Sequence, residues 1–271
     1  MWYLISYVAF EPQRRFLVPP PHRVLYTSFW EGVTGSGLVE VGKKVLSDVL
    51  PGAQIDADVD SGVYFLGNLE ALWNTIKVAV VGLAEAIVFG TLAAVVMSQA
   101  RWVERSVFPW LLALMATPIL AIAPLIGTWF GYGFNARTLV TLIISFFPIA
   151  NNTLFGLLSA EEGQHDLFTL HGASRWTRLV KLQAPSALPA FFVALRNAAG
   201  LAVIGSIVGD FVFGRGEPGL GERLRSYFSR IDNEALFGAI ILSTMLGISF
   251  YLLFDWVGRR AIGRWHGARE R

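Results

Sequence analysis

Histidine, aspartate, glutamate and cysteine are the side chains from which metal sites and acid–base catalysts are built. The chain has no cysteine and four histidines, of which only His165 and His171 are close in sequence. No compact acidic cluster accompanies these two histidines at one membrane depth. We therefore predict no catalytic residue, no metal and no cofactor. A membrane-embedded enzyme, such as a lipid-group transferase, stays open as an alternative of another class.

Two glycine-rich segments match nucleotide-binding patterns in part. GLVEVGKK (37–44) has Lys44 where a phosphate-binding P-loop needs Ser or Thr to hold magnesium. GRGEPG (214–219) has the spacing of a dinucleotide site, but Pro218 would disturb the helix start that binds a pyrophosphate. We interpret both segments as loops, so we expect no nucleotide site in this chain. The net charge of +2 is too small to indicate nucleic acid as a partner.

The elements that must position any site are apolar runs of membrane-spanning length. The chain is 54% hydrophobic and 15% charged, whereas a soluble domain has about 25% charged residues. A helix needs roughly 20 residues to cross the hydrocarbon layer. Five runs reach that length, at residues 75–98, 106–129, 138–158, 189–209 and 235–254. The sequence therefore predicts an all-α membrane protein, a polytopic bundle with five transmembrane helices.

A sixth transmembrane helix is expected at the start of the chain. MWYLISYVAF (1–10) is apolar for ten residues before Glu11, Arg14 and Arg15 interrupt it. That is half the length of a span. It is either the tail of a helix that begins upstream or a partial, interfacial helix.

Two ionisable residues lie inside apolar runs, where such groups are functional candidates. Glu85 is roughly 16 Å from one end of its predicted span, and Arg196 is roughly 10 Å from the opposite end of its own. These depths nearly coincide across about 30 Å of hydrocarbon. We expect the two side chains to pair, either as a structural clamp or in the wall of a translocation pathway.

Uncharged polar and small residues also interrupt the apolar runs. Asn151 and Asn152 follow Pro148, which frees backbone groups that need partners. These two amides could contact either a solute or another helix. Gly205 and Gly209 form a small-residue stripe that lets helices approach closely. We predict a helix-packing role for both glycines, with a dimer seam as the alternative.

The most informative segment is polar and lies between two apolar runs, at residues 159–188. Residues 166–170 are predicted to form a short helix, and Gly172 permits a sharp backbone bend after it. Ser174 is placed to cap a second amphipathic helix, and Pro185 is predicted to end it. This elbow either lies on the lipid surface or docks into a groove of a soluble partner.

The elbow resembles the EAA loop of bacterial ABC-transporter permeases. That pattern runs E-A-A, three residues, Gly, nine residues, I-x-L-P. The residues that fall on it in order are Asp166, Leu167, Phe168, Gly172, Leu182, Ala184 and Pro185. Leu167 and Phe168 replace two alanines, so the partner's groove must differ in shape. ATPILAIAPLIGTWFGYG and GEPGLG further resemble the branch that transports nitrate, sulfonates and taurine and includes riboflavin and thiamine-precursor permeases.

The resemblance implies a permease subunit of a bacterial ABC importer in the inner membrane. The implied partners are two ABC ATPase subunits, a second permease copy in a homodimer, an extracytoplasmic solute-binding protein and the lipid bilayer. Domains are expected at 1–73 (partial span and extracytoplasmic segment), 74–260 (permease domain) and 261–271 (basic cytoplasmic tail). The implied ATPase-coupling residues are Asp166, Leu167, Phe168, Gly172, Ala173, Trp176, Leu179, Leu182 and Pro185.

The solute is the least determined part of the prediction. Phenylalanines in the apolar runs favour a flat heterocycle, such as riboflavin or a thiamine precursor, over a sulfonate, taurine or nitrate. An ion-coupled transporter that works without an ATPase is a further alternative.

Overall fold

The computed structural model describes Trp2, residues 17–25 and residues 60–266, and this part of the chain is helical with no strand. The first elements are α1 (Pro21–Leu25), α2 (Asp60–Ser98), α3 (Arg101–Ala116), α4 (Ile119–Phe130) and α5 (Phe134–Leu157). They are followed by α6 (Glu162–Leu170), α7 (Arg175–Arg178), a π-helical segment (Leu179–Gln183), α8 (Ala184–Phe213), α9 (Leu220–Arg230) and α10 (Asn233–His266). The partial span predicted at residues 1–10 lies outside the described residues, apart from Trp2.

Four continuous helical stretches are long and apolar enough to cross a membrane, and they confirm the all-α prediction. They cover Gly67–Ser98, Phe134–Leu157, Arg175–Phe213 and Asn233–Ile262. The central helix α8 packs against α5, α10 and α2, and α5 also packs against α2. α2 begins at Asp60 and continues through residue 73, where we had placed a domain boundary, without a break.

Small residues allow these helices to approach each other closely. A Cβ atom on Gly82 of α2 would lie 2.5 Å from the Thr141 side chain of α5. A Cβ atom on Gly205 of α8 would lie 2.9 Å from the Cα atom of Thr141 on the other side. The alanines Ala198, Ala199 and Ala202 of α8 are fully buried in the same core. Close backbone contact therefore replaces bulky side chains at the centre of the bundle.

The apolar run at 106–129 is not the straight span that the sequence predicted. It forms α3 and α4, which are bent by 99° at Thr117–Pro118, so the described chain has four spans, or five if this bent pair counts as one. Pro118 lacks an N–H and restricts Thr117 to the extended conformation, with ψ of 125°. The Thr117 hydroxyl donates to the Ala113 carbonyl 2.7 Å away. The span was predicted from length and absence of charge, and neither shows that a proline breaks the helix.

Pro185 does not end a helix, contrary to the prediction. α7 leads through the π-helical segment directly into α8, so one helical stretch extends from Arg175 to Phe213. The Ala184 N–H donates to the Leu179 carbonyl, five residues back. Pro185 lies in the first turn of α8. We attribute its tolerance there to the wider π turn, which relieves the contact between a proline ring and the preceding helical turn.

Candidate functional site

The elbow turns on a left-handed glycine at the end of α6. Gly172 has φ of +62°, and its N–H donates to the Thr169 carbonyl at 3.0 Å. The Ala173 N–H donates to the Phe168 carbonyl at 2.9 Å. These two bonds form a Schellman motif, which terminates a helix and satisfies its last carbonyls. A Cβ atom on Gly172 would meet nothing within 4 Å, so backbone conformation alone favours glycine here.

Side chains hold the second arm of the elbow. Ser174 caps α7 as predicted, because its hydroxyl accepts from the Thr177 N–H at 3.2 Å. Arg178 donates from Nη2 to the Thr169 hydroxyl of α6 at 3.0 Å. The bond from Arg178 therefore links α7 to α6 within the chain.

The elbow exposes large apolar side chains that no described residue covers. Leu170 is 85% exposed, Trp176 is 72% exposed and Leu167 is 53% exposed. Asp166 is also exposed, while Phe168 and Ala173 are half-buried. Apolar groups on a charged segment indicate a contact surface for a protein or a lipid interface.

Leu179, one of the implied ATPase-coupling residues, faces the bundle and not the exposed surface that Trp176 occupies. Leu179 is 7% exposed and packs in a cluster with Met97, Leu111 and Leu154. Leu182 is buried to a similar degree, with 8% exposure. Because α7 continues into α8, this face of the helix already lies against α2, α3 and α5. Leu179 and Leu182 therefore anchor the elbow to the bundle.

The predicted pairing of Glu85 with Arg196 is wrong. Arg196 forms an ion pair with Asp255 of α10 at 2.9 Å, and its guanidinium lies 5.9 Å from the centre of the Tyr251 ring. α8 and α10 are antiparallel neighbours, so Asp255 reaches the level of Arg196, and it also pairs with Arg259. Glu85 is half-buried and makes no ion pair with any residue that the structure describes.

The remaining predicted polar and small residues have identified neighbours. Asn152 donates to the carbonyl of Pro148 at 2.8 Å, and Asn151 is half-buried beside it. Gly205 and Gly209 both face α5, where a Cβ atom on Gly209 would lie 3.4 Å from the Cα atom of Arg137. These two glycines pack inside one copy of the chain, so they are not free to form a dimer seam.

Sequence reasoning missed a buried ion pair at the end of the bundle opposite the elbow. Arg137 and Asp210 are 4% and 2% exposed, and the Nη1–Oδ1 distance between them is 2.8 Å. Arg137 also donates to the carbonyls of Arg215 and of Glu217, the latter at 2.6 Å. Asp210 accepts from the Glu222 N–H at 2.6 Å. The pair therefore clamps the loop 214–219 and the start of α9 onto the bundle.

α2 holds the same loop from its other side. Asn74 donates to the Pro218 carbonyl at 3.0 Å, and the Thr75 hydroxyl accepts from the Leu220 N–H at 2.9 Å. Lys77 pairs with Glu217 at 2.9 Å. The polar residues of GEPGLG and the polar start of α2 were visible in the sequence, but their contact joins segments about 140 residues apart and no local pattern reveals it.

Comparison with known proteins supports the assignment that the elbow suggested. The family described as "Binding-protein-dependent transport system inner membrane component" matches residues 86–263. A formylaminopyrimidine transport permease protein, ThiX, of Halalkalibacterium halodurans is 38% identical over 64% of this chain and 69% of its own length. A riboflavin transport system permease protein, RibX, of Chloroflexus aurantiacus is 34% identical over 63% of each chain.

A solved structure supports the fold. The chain is similar to the crystal structure of an amino acid ABC transporter with histidines, with a TM-score of 0.58 and 20% sequence identity. The superposition covers 73% of this chain and 95% of that chain. The resemblance to ABC-transporter permeases is thus confirmed, as is a multi-pass location in the inner membrane. The chain belongs to the family of inner-membrane components of binding-protein-dependent transport systems.

Proposed function

We propose that this chain is the permease of an ABC importer for a flat nitrogen heterocycle, with riboflavin and a thiamine precursor as the two candidate solutes. Its family makes it a transport permease rather than a membrane-embedded enzyme, and implies ATPase and solute-binding-protein partners. The order of identity among the relatives supports a heterocycle. The formylaminopyrimidine and riboflavin permeases are 38% and 34% identical, whereas the sulfonate and taurine permeases of Escherichia coli are 28% and 26% identical.

In the proposed cycle, two copies of the chain form a homodimer and two ATPase subunits bind it from the cytoplasm. The observation that carries the coupling role is the elbow. Its backbone turn is closed by hydrogen bonds within the chain, yet Leu170 and Trp176 remain exposed. We propose that these side chains enter a cleft of the ATPase. Closure of the two ATPase subunits then pushes on α6 and α7, and the anchored residues Leu179 and Leu182 transmit the motion to α8.

Uptake into vesicles tests the solute. Permease, ATPase and binding protein are reconstituted together, and ATP-dependent uptake of labelled riboflavin, formylaminopyrimidine and taurine is compared. We expect uptake of one heterocycle that vanadate blocks and excess taurine does not reduce. Uptake of taurine alone would support the sulfonate and taurine alternative, and vanadate-insensitive uptake would support an ion-coupled transporter.

The Gly172→Arg variant tests the coupling. A Cβ atom on Gly172 meets nothing within 4 Å, but the left-handed φ of +62° strains any other residue there. We therefore expect the variant to insert in the membrane with a distorted elbow and to lose transport-coupled ATP hydrolysis. Gly163→Arg is the matched control, because Gly163 also has open space around it and lies in the first turn of α6, away from the bend. Normal coupling in Gly172→Arg would contradict the proposed docking.

A further inference from the structure

A groove between α8 and α10 exposes polar groups at the middle of the membrane. Its volume is about 650 Å³. Most of its lining is apolar, from Leu201, Val203, Ile204 and Ile207, and its polar side chains are those of Asn197, Ser243, Thr244 and Tyr251. Pockets for small molecules in proteins have volumes of about 300–1,000 Å³. The groove is therefore of the size expected for a small-molecule site.

The depth of these polar groups follows from helix geometry. Asn197 lies eight residues into the apolar run that starts at Pro189, or roughly 12 Å from that end. Thr244 lies nine residues from Ala235, or roughly 14 Å from the opposite end. Both positions fall in the middle third of a hydrocarbon layer about 30 Å thick. They are therefore far from both headgroup regions.

Lipid is an unsuitable neighbour for this groove. Asn197 is exposed, and its side chain makes no hydrogen bond to any residue that the structure describes. An amide that faces hydrocarbon without a partner costs several kcal/mol, so polar side chains at this depth face protein or a water-filled cavity. The hydroxyls of Ser243 and Thr244 donate to carbonyls of their own helix and keep acceptor lone pairs free.

The floor of the groove is glycine, with room above it. Cβ atoms on Gly200 and Gly247 would meet nothing within 4 Å, in contrast to Gly205, which packs on α5. Leu201 also lines a second, mostly apolar cavity of about 260 Å³, which includes Phe147 and Pro148. Thr117 and Ile119, on either side of the break between α3 and α4, line that second cavity. Irregular backbone at membrane depth is tolerated where it borders a cavity.

We propose that this groove is a solute-binding site on the transport pathway, with Asn197 and Thr244 as specificity-determining residues for an uncharged heterocycle. This inference rests on the proposed function and narrows its substrate class. No charged side chain lines the groove, and the Arg196 guanidinium beyond Tyr251 is paired with Asp255. An amide presents a donor and an acceptor side by side, as does the edge of an aminopyrimidine or a flavin ring. A sulfonate would find no cation there.

The chain has no cysteine, so single cysteines report directly on the groove. Asn197→Cys and Thr244→Cys are compared with Ser249→Cys on the same helix, whose hydroxyl also bonds to the preceding turn and which does not line the groove. The assembled transporter in vesicles is treated with a water-soluble thiol reagent. We expect both groove variants to react and Ser249→Cys to stay unreactive. Whichever solute the wild type transports should slow the groove reactions about tenfold when it occupies about nine-tenths of the sites.

Three outcomes would contradict the proposal that the groove binds a solute. Unreactive groove variants would place the groove against lipid. Disulfide cross-links between two copies, with no protection by a transported solute, would make it a dimer seam. Reaction without protection would make it a water-filled space only. Failure of the proposed function is separate, because it appears in wild-type uptake as taurine transport without heterocycle transport.

Solute uptake by variants of the groove residues is a second test of the proposed site. Asn197→Leu should raise the solute concentration for half-maximal uptake about tenfold, as expected for one lost hydrogen bond between neutral groups, and Asn197→Gln should recover part of the loss. A Cβ atom on Gly247 meets nothing within 4 Å, so Gly247→Leu should fold, and it should lower uptake by narrowing the groove. If Asn197→Leu and Gly247→Leu both took up the solute as the wild type does, the groove would not be a solute-binding site.

Discussion

The buried pair of Arg137 and Asp210 allows a stability prediction whose size follows from its contacts. In Arg137→Leu, the Asp210 carboxylate keeps its bond from the Glu222 N–H but loses its counter-charge, and the carbonyls of Arg215 and Glu217 lose a donor. Removal of one partner of a buried ion pair costs about 3–5 kcal/mol. We therefore expect Arg137→Leu to lower the free energy of unfolding by about that amount.

Substitution of the other partner, Asp210, should lower the free energy of unfolding by less. In Asp210→Asn, the side-chain oxygen can still accept from the Glu222 N–H, and the Arg137 guanidinium keeps both backbone carbonyls. Because the Arg137 charge is left without its counter-charge, we expect a loss near the lower end of that range, about 3 kcal/mol. The double variant should lose less than the sum of the two single variants, because no uncompensated charge is left behind. Lys77→Met is the matched control, because Lys77 forms an ion pair with Glu217 of the same loop, and that pair is exposed. It should change stability by at most about 1 kcal/mol.

Equilibrium unfolding in mixed micelles of dodecyl maltoside and dodecyl sulfate, followed by tryptophan fluorescence, measures all four variants. The reasoning would be refuted if Arg137→Leu were no more destabilising than Lys77→Met. It would also be refuted if the losses in the two single variants simply added in the double variant.

Further predictions concern the elbow and the other ion pair. Gly172→Ala should destabilise the elbow by about 1–2 kcal/mol and Gly172→Asn by less, because Asn tolerates the left-handed region; amide hydrogen exchange in α6 and α7 measures both, and equal exchange would contradict a purely conformational role. Leu179→Ala should lower the unfolding free energy of the permease by about 2–5 kcal/mol. Trp176→Ala should leave that free energy unchanged and reduce co-purification of the ATPase instead; the opposite pattern would reverse the assigned roles. Exchange of Arg196 and Asp255 for each other should recover part of the uptake that either single reversal loses, and no recovery would show that the two residues do not act as a pair.

The helical architecture was predictable because lipid requires long, continuous apolar stretches. The runs that became α5, α8 and the last span were identified from length and charge alone. The elbow was predictable for a different reason. Its bend depends on local chemistry, a left-handed glycine followed by a capping serine, and both were placed correctly at Gly172 and Ser174.

What the sequence concealed depends on contacts between distant segments. Arg196 could be assigned a membrane depth but no partner, since which side chain it meets is decided by the rotation of α10 against α8. The burial of Leu179 followed from the π-helical continuation into α8, because amphipathic spacing alone does not say whether an apolar face meets its own bundle or another protein. The break at Thr117–Pro118 was overlooked because the span was predicted from length and charge, which do not register the backbone restriction that a proline imposes.

The central claim is that the elbow docks into an ATPase on the cytoplasmic side, and a cross-link from Trp176 tests it most directly. Since the chain has no cysteine, the Trp176→Cys variant carries a single thiol for a short photoactivatable cross-linker in the assembled transporter. We predict a cross-link to the ATPase subunit, and reaction with an impermeant thiol reagent only from the cytoplasmic face. Reaction from the opposite face, or cross-links to lipid alone, would contradict the account.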